Sequence, residues 1–222
     1  VFGDAFWPAG LRAVVGESTP ASALHDWLAL CVEKELVVQR RKGRYHGEPE
    51  YRFRHALMRD AAYARLDAAS RSHAHRQAGD WLERMHESDA LVLAEHFLLG
   101  EAPLRAAVWL VRATADALEA NDLRSVLDRG ERAIAAGAQD VLLGRVRRLQ
   151  ATAAFWLSDY TKARAYASEA LAQLRQGSVE WYLALGEAMA ACGRLADLAG
   201  GEALFATAQR AQPDRDAHAA QL

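Results

Sequence analysis

Eight histidines and two cysteines are the side chains with which this sequence would hold a metal or form a nucleophile. On a helix, two ligands share one ion only when they lie three or four residues apart. His73 and His75 are two apart on a predicted helix and so face different ways. His25, His96 and His218 have no His, Cys, Asp or Glu at i+3 or i+4, and His86 has Asp89 alone. These histidines read as surface residues, and no metal site is expected. Cys31 and Cys192 each fall inside an apolar helical pattern and read as buried thiols, with a disulfide as the alternative. The chain has no Walker-type phosphate loop, no Gly-x-Ser-x-Gly elbow and no His-Glu-x-x-His pair. No catalytic residue is expected, and the chain reads as a non-enzyme.

The densest local charge is Arg40, Arg41, Lys42, Arg44, Arg52 and Arg54, diluted by Glu48 and Glu50. Such a cluster can lie along a phosphate backbone. The helix that would read bases beside it, from 22 to 35, offers His25, Asp26, Glu33, Lys34 and Glu35. That face is acidic where DNA is acidic, which argues against DNA binding. A solvated hairpin, or one docked on an acidic partner domain, fits the charges better.

The elements carrying these residues change along the chain. A short helix is predicted from Phe6 to Val15, with Pro8 in its first turn and a break from Gly16 to Pro20. A second helix places Leu24, Trp27, Leu28 and Cys31 on one face. Leu36-Val37-Val38 and the alternating Tyr51-Arg52-Phe53-Arg54 read as two strands around a loop with Gly47 and Pro49. A closing helix spans His55 to Leu66. From Ser70 onward every segment reads as helix. The apolar stripes are Ala74, Ala78, Trp81, Leu82 and Met85, then Leu104, Val108, Val111, Ala115 and Leu118, then Leu142, Val146, Leu149, Ala153 and Trp156.

Short breaks between these helices recur near the 34-residue period of TPR units. Ser158-Asp159-Tyr160 followed by Ala163, Ala167 and Ala170 is the clearest repeat. Asn121-Asp122-Leu123 and Gly193-Arg194-Leu195 are weaker copies. The fold expected is mainly α, with a winged-helix-like head over 1–68 and a TPR-like antiparallel helical solenoid over 69–222; a generic helical bundle is the alternative. A hydrophobic content of 51%, a charged content of 25% and a net charge of -2 describe a globular chain with no general pull toward nucleic acid or anionic membrane. No apolar run reaches the ~18 residues of a membrane span, and no signal peptide is evident. A cytoplasmic location is expected. The start at Val1 reads as a piece of a longer protein.

The block from Tyr51 to Tyr63, with Phe53-Arg54-His55-Ala56-Leu57 followed by Asp60 and Tyr63, resembles the end of the winged-helix domain in bacterial STAND-class signalling ATPases. Val1-Phe2-Gly3-Asp4-Ala5-Phe6 resembles the start of that domain. Ala94-Glu95-His96-Phe97 and the stretch from Ala106 to Leu123 resemble the first TPR-like helices of those proteins. In the related NB-ARC immune receptors, a Met-His-Asp motif places its histidine on the phosphates of bound ADP. Only the histidine is matched, as His55, because Arg54 stands for the Met and Ala56 for the Asp. The resemblance implies nucleotide sensing by His55 with Arg54 beside it; the alternative is that His55 caps its own helix or buries against Tyr63.

It further implies a regulatory scaffold within a signal-transduction ATPase. The parent would bind ATP or ADP through an upstream nucleotide-binding domain, this region having no cofactor of its own. The helical arm would receive a protein or small-ligand partner, with Trp156, Tyr160, Tyr166, Trp181 and Tyr182 as its candidate surface. A DNA-binding transcriptional regulator and a plain TPR interaction scaffold are the alternatives.

Overall fold

A computed structural model describes residues 1–16, 19–214 and 217; His218, and Glu17 and Ser18 of the predicted break, lie outside them. The described residues are mainly helical, with one small antiparallel sheet, and form two compact units, Val1–Pro103 and Leu104–Leu222. No helix among them is long and apolar enough to cross a membrane.

The first unit runs β1 (Ala5–Phe6), α1 (Pro8–Val15), α2 (Ala21–Glu33), β2 (Val37–Arg40), β3 (Glu50–Phe53), α3 (Ala56–Ala64), α4 (Ala68–Arg84) and α5 (Ala90–Leu99). The sheet order is β1-β3-β2, both pairs antiparallel, so Tyr51 lies between Phe6 and Gln39. Phe6 therefore belongs to a strand and not to the first helix. Its ring stacks on Tyr51 at 5.9 Å, and the helix starts only after the extended Trp7, where Pro8 needs no hydrogen bond of its own. Phe6, Leu28, Cys31, Val37 and Tyr51 form the core under the sheet. Trp27, predicted on the buried face of α2, is 55% exposed.

Trp81 of α4 determines how far this unit extends. It stacks on Trp7 at 5.3 Å and meets the edges of Phe2 and Tyr45 at 5.6 and 5.3 Å. Gly10 lets α1 come this near, since a Cβ there would stand 3.2 Å from the Trp81 ring and 2.9 Å from Phe2. Ala74, Ala78, Trp81 and Leu82 are buried as their spacing predicts. The unit therefore runs past residue 68, where the change of pattern was read, and takes in α4 and α5.

The second unit holds α6 (Pro103–Glu119), α7 (Leu123–Ala135), α8 (Asp140–Trp156), α9 (Tyr160–Gln173), α10 (Val179–Arg194) and α11 (Leu198–Arg210). Alanines mark the lines along which these helices touch. Ala154, Ala163 and Ala191 form one buried cluster, and Ala151, Ala167 and Ala188 the next. Moving back along α8 moves forward along α9 and back along α10, so α9 is antiparallel to both and α8 and α10 are parallel. At full burial an alanine brings two backbones close with almost no loss of side-chain freedom. A leucine at any of these points would force the helices apart.

Two predicted stripes are corrected. Leu104 and Val108 are 68% and 49% exposed, and α6 instead buries Ala106, Ala107, Leu110, Val111, Thr114 and Ala117. Trp156 ends the stripe of α8 but is 69% exposed. The third turn also lies later than Gly193-Arg194-Leu195, because α10 stays helical through Arg194 and turns at Ala196-Asp197.

Candidate functional site

The basic cluster sits on the β2–β3 hairpin, and two buried carboxylates organise it. Glu50, at 3% exposure, accepts the Arg44 backbone N–H at 3.0 Å and Arg52 Nε at 3.1 Å, with Arg40 paired at 3.6 Å. Glu87, at the end of α4, accepts Arg44 Nη2 at 2.5 Å, the Asp89 N–H at 2.8 Å and the Tyr45 hydroxyl. Burial and the Glu87 carboxylate push the Tyr45 hydroxyl far up, so it stays a donor. Gly43 permits the tight loop, because a Cβ would meet the Glu48 carbonyl at 2.4 Å. The hairpin is thus tied inward to α4, and much of its charge is matched within the unit. Arg41 and Lys42 remain exposed at its tip, with no ion pair among the described residues.

His55 occupies the N-cap position of α3, at the strand-to-helix junction after β3. Its backbone is extended, its side chain is exposed, and it makes no capping bond. It does not bury against Tyr63, which is engaged elsewhere. Arg54 is half-exposed and faces Glu35 at 3.8 Å. Among the described residues the imidazole of His55 has no hydrogen-bond partner.

The five aromatics of the candidate arm surface do not form one patch. Trp181 and Tyr182 are each 4% exposed and belong to the core with Leu174, Leu185 and Ala211. The Tyr182 hydroxyl donates to the Ala211 carbonyl at 3.4 Å. They are corrected to packing residues, because their helical spacing puts them on the same face as Leu185. Tyr166 is half-buried under the Arg147 guanidinium at 5.0 Å. Trp156 and Tyr160 both lie against Phe155, at 6.3 and 5.3 Å, and Arg194 stands 5.7 Å over the Tyr160 ring. These two, with Phe155 and Arg194, are what remains of the candidate surface, at the α8–α9 turn.

Two histidines depart from the surface reading. His75 and His96 are 5% and 6% exposed, and their Nδ1 atoms lie 3.2 Å apart. One of the two must donate and the other accept, so the rings cannot both be imidazolium. His75 Nε2 meets the Tyr63 hydroxyl at 2.9 Å. Burial lowers both imidazoles to about 4. His25, His73 and His86 are exposed as read. The pair was missed because the partners lie on different helices, 21 residues apart. No group of three or more His, Cys, Asp or Glu among the described residues is arranged to hold a metal, and Cys31 and Cys192 are free, buried thiols.

Compared with family models, with curated proteins and with solved structures, the chain finds no match.

Proposed function

We propose that this chain is a non-catalytic regulatory and scaffold region of a bacterial signal-transduction ATPase. In this reading a winged-helix-like head is coupled to a TPR-like arm, in the cytoplasm. The observation that carries it is the order β1-α1-α2-β2-β3 with sheet order β1-β3-β2, followed at once by a helix that opens on the exposed His55. Helix pair, hairpin and short leading strand are the parts of a winged helix. The arm rests on its recurring turns, whose spacing lies a few residues above the TPR period.

In this reading His55 contacts a phosphate of ADP held by an upstream nucleotide-binding domain, and Arg54 adds a cation beside it. A protein or peptide, or a small ligand, on the arm near Trp156 and Tyr160 would bias the position of the head. The hairpin lends DNA binding little support, because Arg40 and Arg52 are committed to Glu50 and Arg44 to Glu87, which leaves Arg41 and Lys42 at the tip.

The test is the ADP off-rate of the full-length protein and its His55→Ala variant. Faster release from the variant is expected. An unchanged off-rate overturns the sensing role and leaves an interaction scaffold.

A further inference from the structure

The first unit contains a groove of about 550 Å³ that its own side chains leave unfilled. Its floor and walls are apolar, with Phe6, Trp27, Cys31, Phe53 and Met58 among them, and Arg65 stands at the rim. Protein interiors are close-packed, and a space this large beneath a helix is not ordinary core. The helix over it, α3, buries none of its residues, and its Leu57 is 81% exposed. The Cys31 thiol is pushed up by burial and stays protonated, so the floor carries no charge. Arg65 is exposed, and among the described residues no ion pair engages its guanidinium.

We infer that the groove between α2, the sheet and α3 binds a monoanionic amphiphile, an apolar chain bearing a carboxylate. The volume lies in the range of small-molecule sites, which are mostly apolar with a few polar groups that fix orientation. Arg65 is the one charged side chain in the lining and has no ion pair among the described residues, so the complementary head is an anion. A guanidinium binds a carboxylate through two parallel hydrogen bonds, which favours carboxylate over a neutral alcohol. The apolar chain covers Trp27, which is 55% exposed, and packs against Phe53. This site is independent of His55 and of any nucleotide.

The test is calorimetric titration with dodecanoate below its micelle concentration, against dodecyltrimethylammonium as the same chain with the opposite head. Dodecanoate binds, and the cationic chain binds weaker by about tenfold or more. Ala62→Trp fills the groove from an exposed position of α3 and abolishes binding, with the helical circular dichroism unchanged. Arg65→Glu lowers dodecanoate affinity by about tenfold and removes the preference for the anion. Absence of dodecanoate binding overturns the inference. So does binding that neither substitution changes, or equal affinity for the two heads.

Discussion

The backbone N–H of Asp159 donates to the carbonyl of Ala154 at 2.9 Å, while the Asp159 carboxylate accepts the Lys162 N–H at 3.1 Å. One residue thus closes α8 and opens α9. Asp122 does the same between Ala117 and Ser125, and Asp197 between Cys192 and Gly200. The interval is 37 residues from Asp122 to Asp159 and 38 from there to Asp197. Replacing Asp159 with Ala leaves N–H groups of the first turn of α9 without an acceptor. Asp159→Ala is expected to lower Tm by several degrees and Asp159→Asn by much less, in thermal unfolding by circular dichroism. Equal losses would assign the effect to the charge and not to the cap.

Each of these aspartates follows a residue in the left-handed region: Asn121 at φ 57°, Ser158 at 63° and Ala196 at 55°. An L residue is strained there, and alanine has no side-chain hydrogen bond to offset it. Ala196→Gly is expected to stabilise the chain by about 1 kcal/mol, and Asn121→Gly by clearly less. Chemical denaturation of the two variants checks the order. A destabilised Ala196→Gly would mean that the methyl group contributes packing not evident at this turn.

Gly130 of α7 leaves room for the Gln150 amide of α8. A Cβ at 130 would lie 2.5 Å from Gln150 Nε2, which donates to the Leu127 carbonyl at 3.1 Å and to Glu131 at 3.0 Å. Gln150 is fully buried, so it has little room to retreat. Gly130→Ala is expected to cost about 1–3 kcal/mol despite the better helix propensity of alanine. In a Gln150→Ala background the same change should be neutral or favourable. An additive double-mutant cycle would show that the two residues do not compete for space.

Helices, the hairpin and the breaks before Asp122 and Asp159 were legible because their signals are local. Tyr51-Arg52-Phe53 alternates within three residues, and a turn residue acts on its own backbone. β1 was not legible, since two residues cannot display a period of two. On α6, both Leu104-Val108 and Ala106-Leu110-Thr114-Ala117 satisfy the helical period. The buried face is the one that carries Leu110, and helical spacing alone does not distinguish it from the other. At the candidate site, Glu50 read only as diluting the basic cluster, and nothing in the sequence singled out Glu87. Only the folded hairpin brings Arg44 and Tyr45 to Glu87, more than forty positions away. The place of His55 at a strand-to-helix junction was legible, but whether its side chain is exposed, capping or buried was not. The burial of His75 and His96 depends on α4 meeting α5, which no spacing within either helix encodes.

That histidine pair gives the chain a pH dependence of predictable sign. Both imidazoles are lowered by burial from 6.5 to about 4, with Tyr63 hydrogen-bonded to His75 and Arg71 lying over the Tyr63 ring. Between those values the unfolded chain binds protons that the folded chain refuses. The pair's contribution to stability is complete above pH 6.5 and is lost as pH falls from there toward 4. Carboxylates titrate in the lower part of this window, so the informative quantity is the difference between proteins. His96→Gln is expected to reduce the fall in Tm between pH 7 and pH 5 and His75→Gln to reduce it likewise, each by about half of the pair's share. Thermal unfolding of the three proteins at matched ionic strength makes the comparison. If the variants lose stability with the same slope as the parent, the imidazoles are already accessible to protons in the folded state, and the hydrogen bond between their Nδ1 atoms is not holding them neutral.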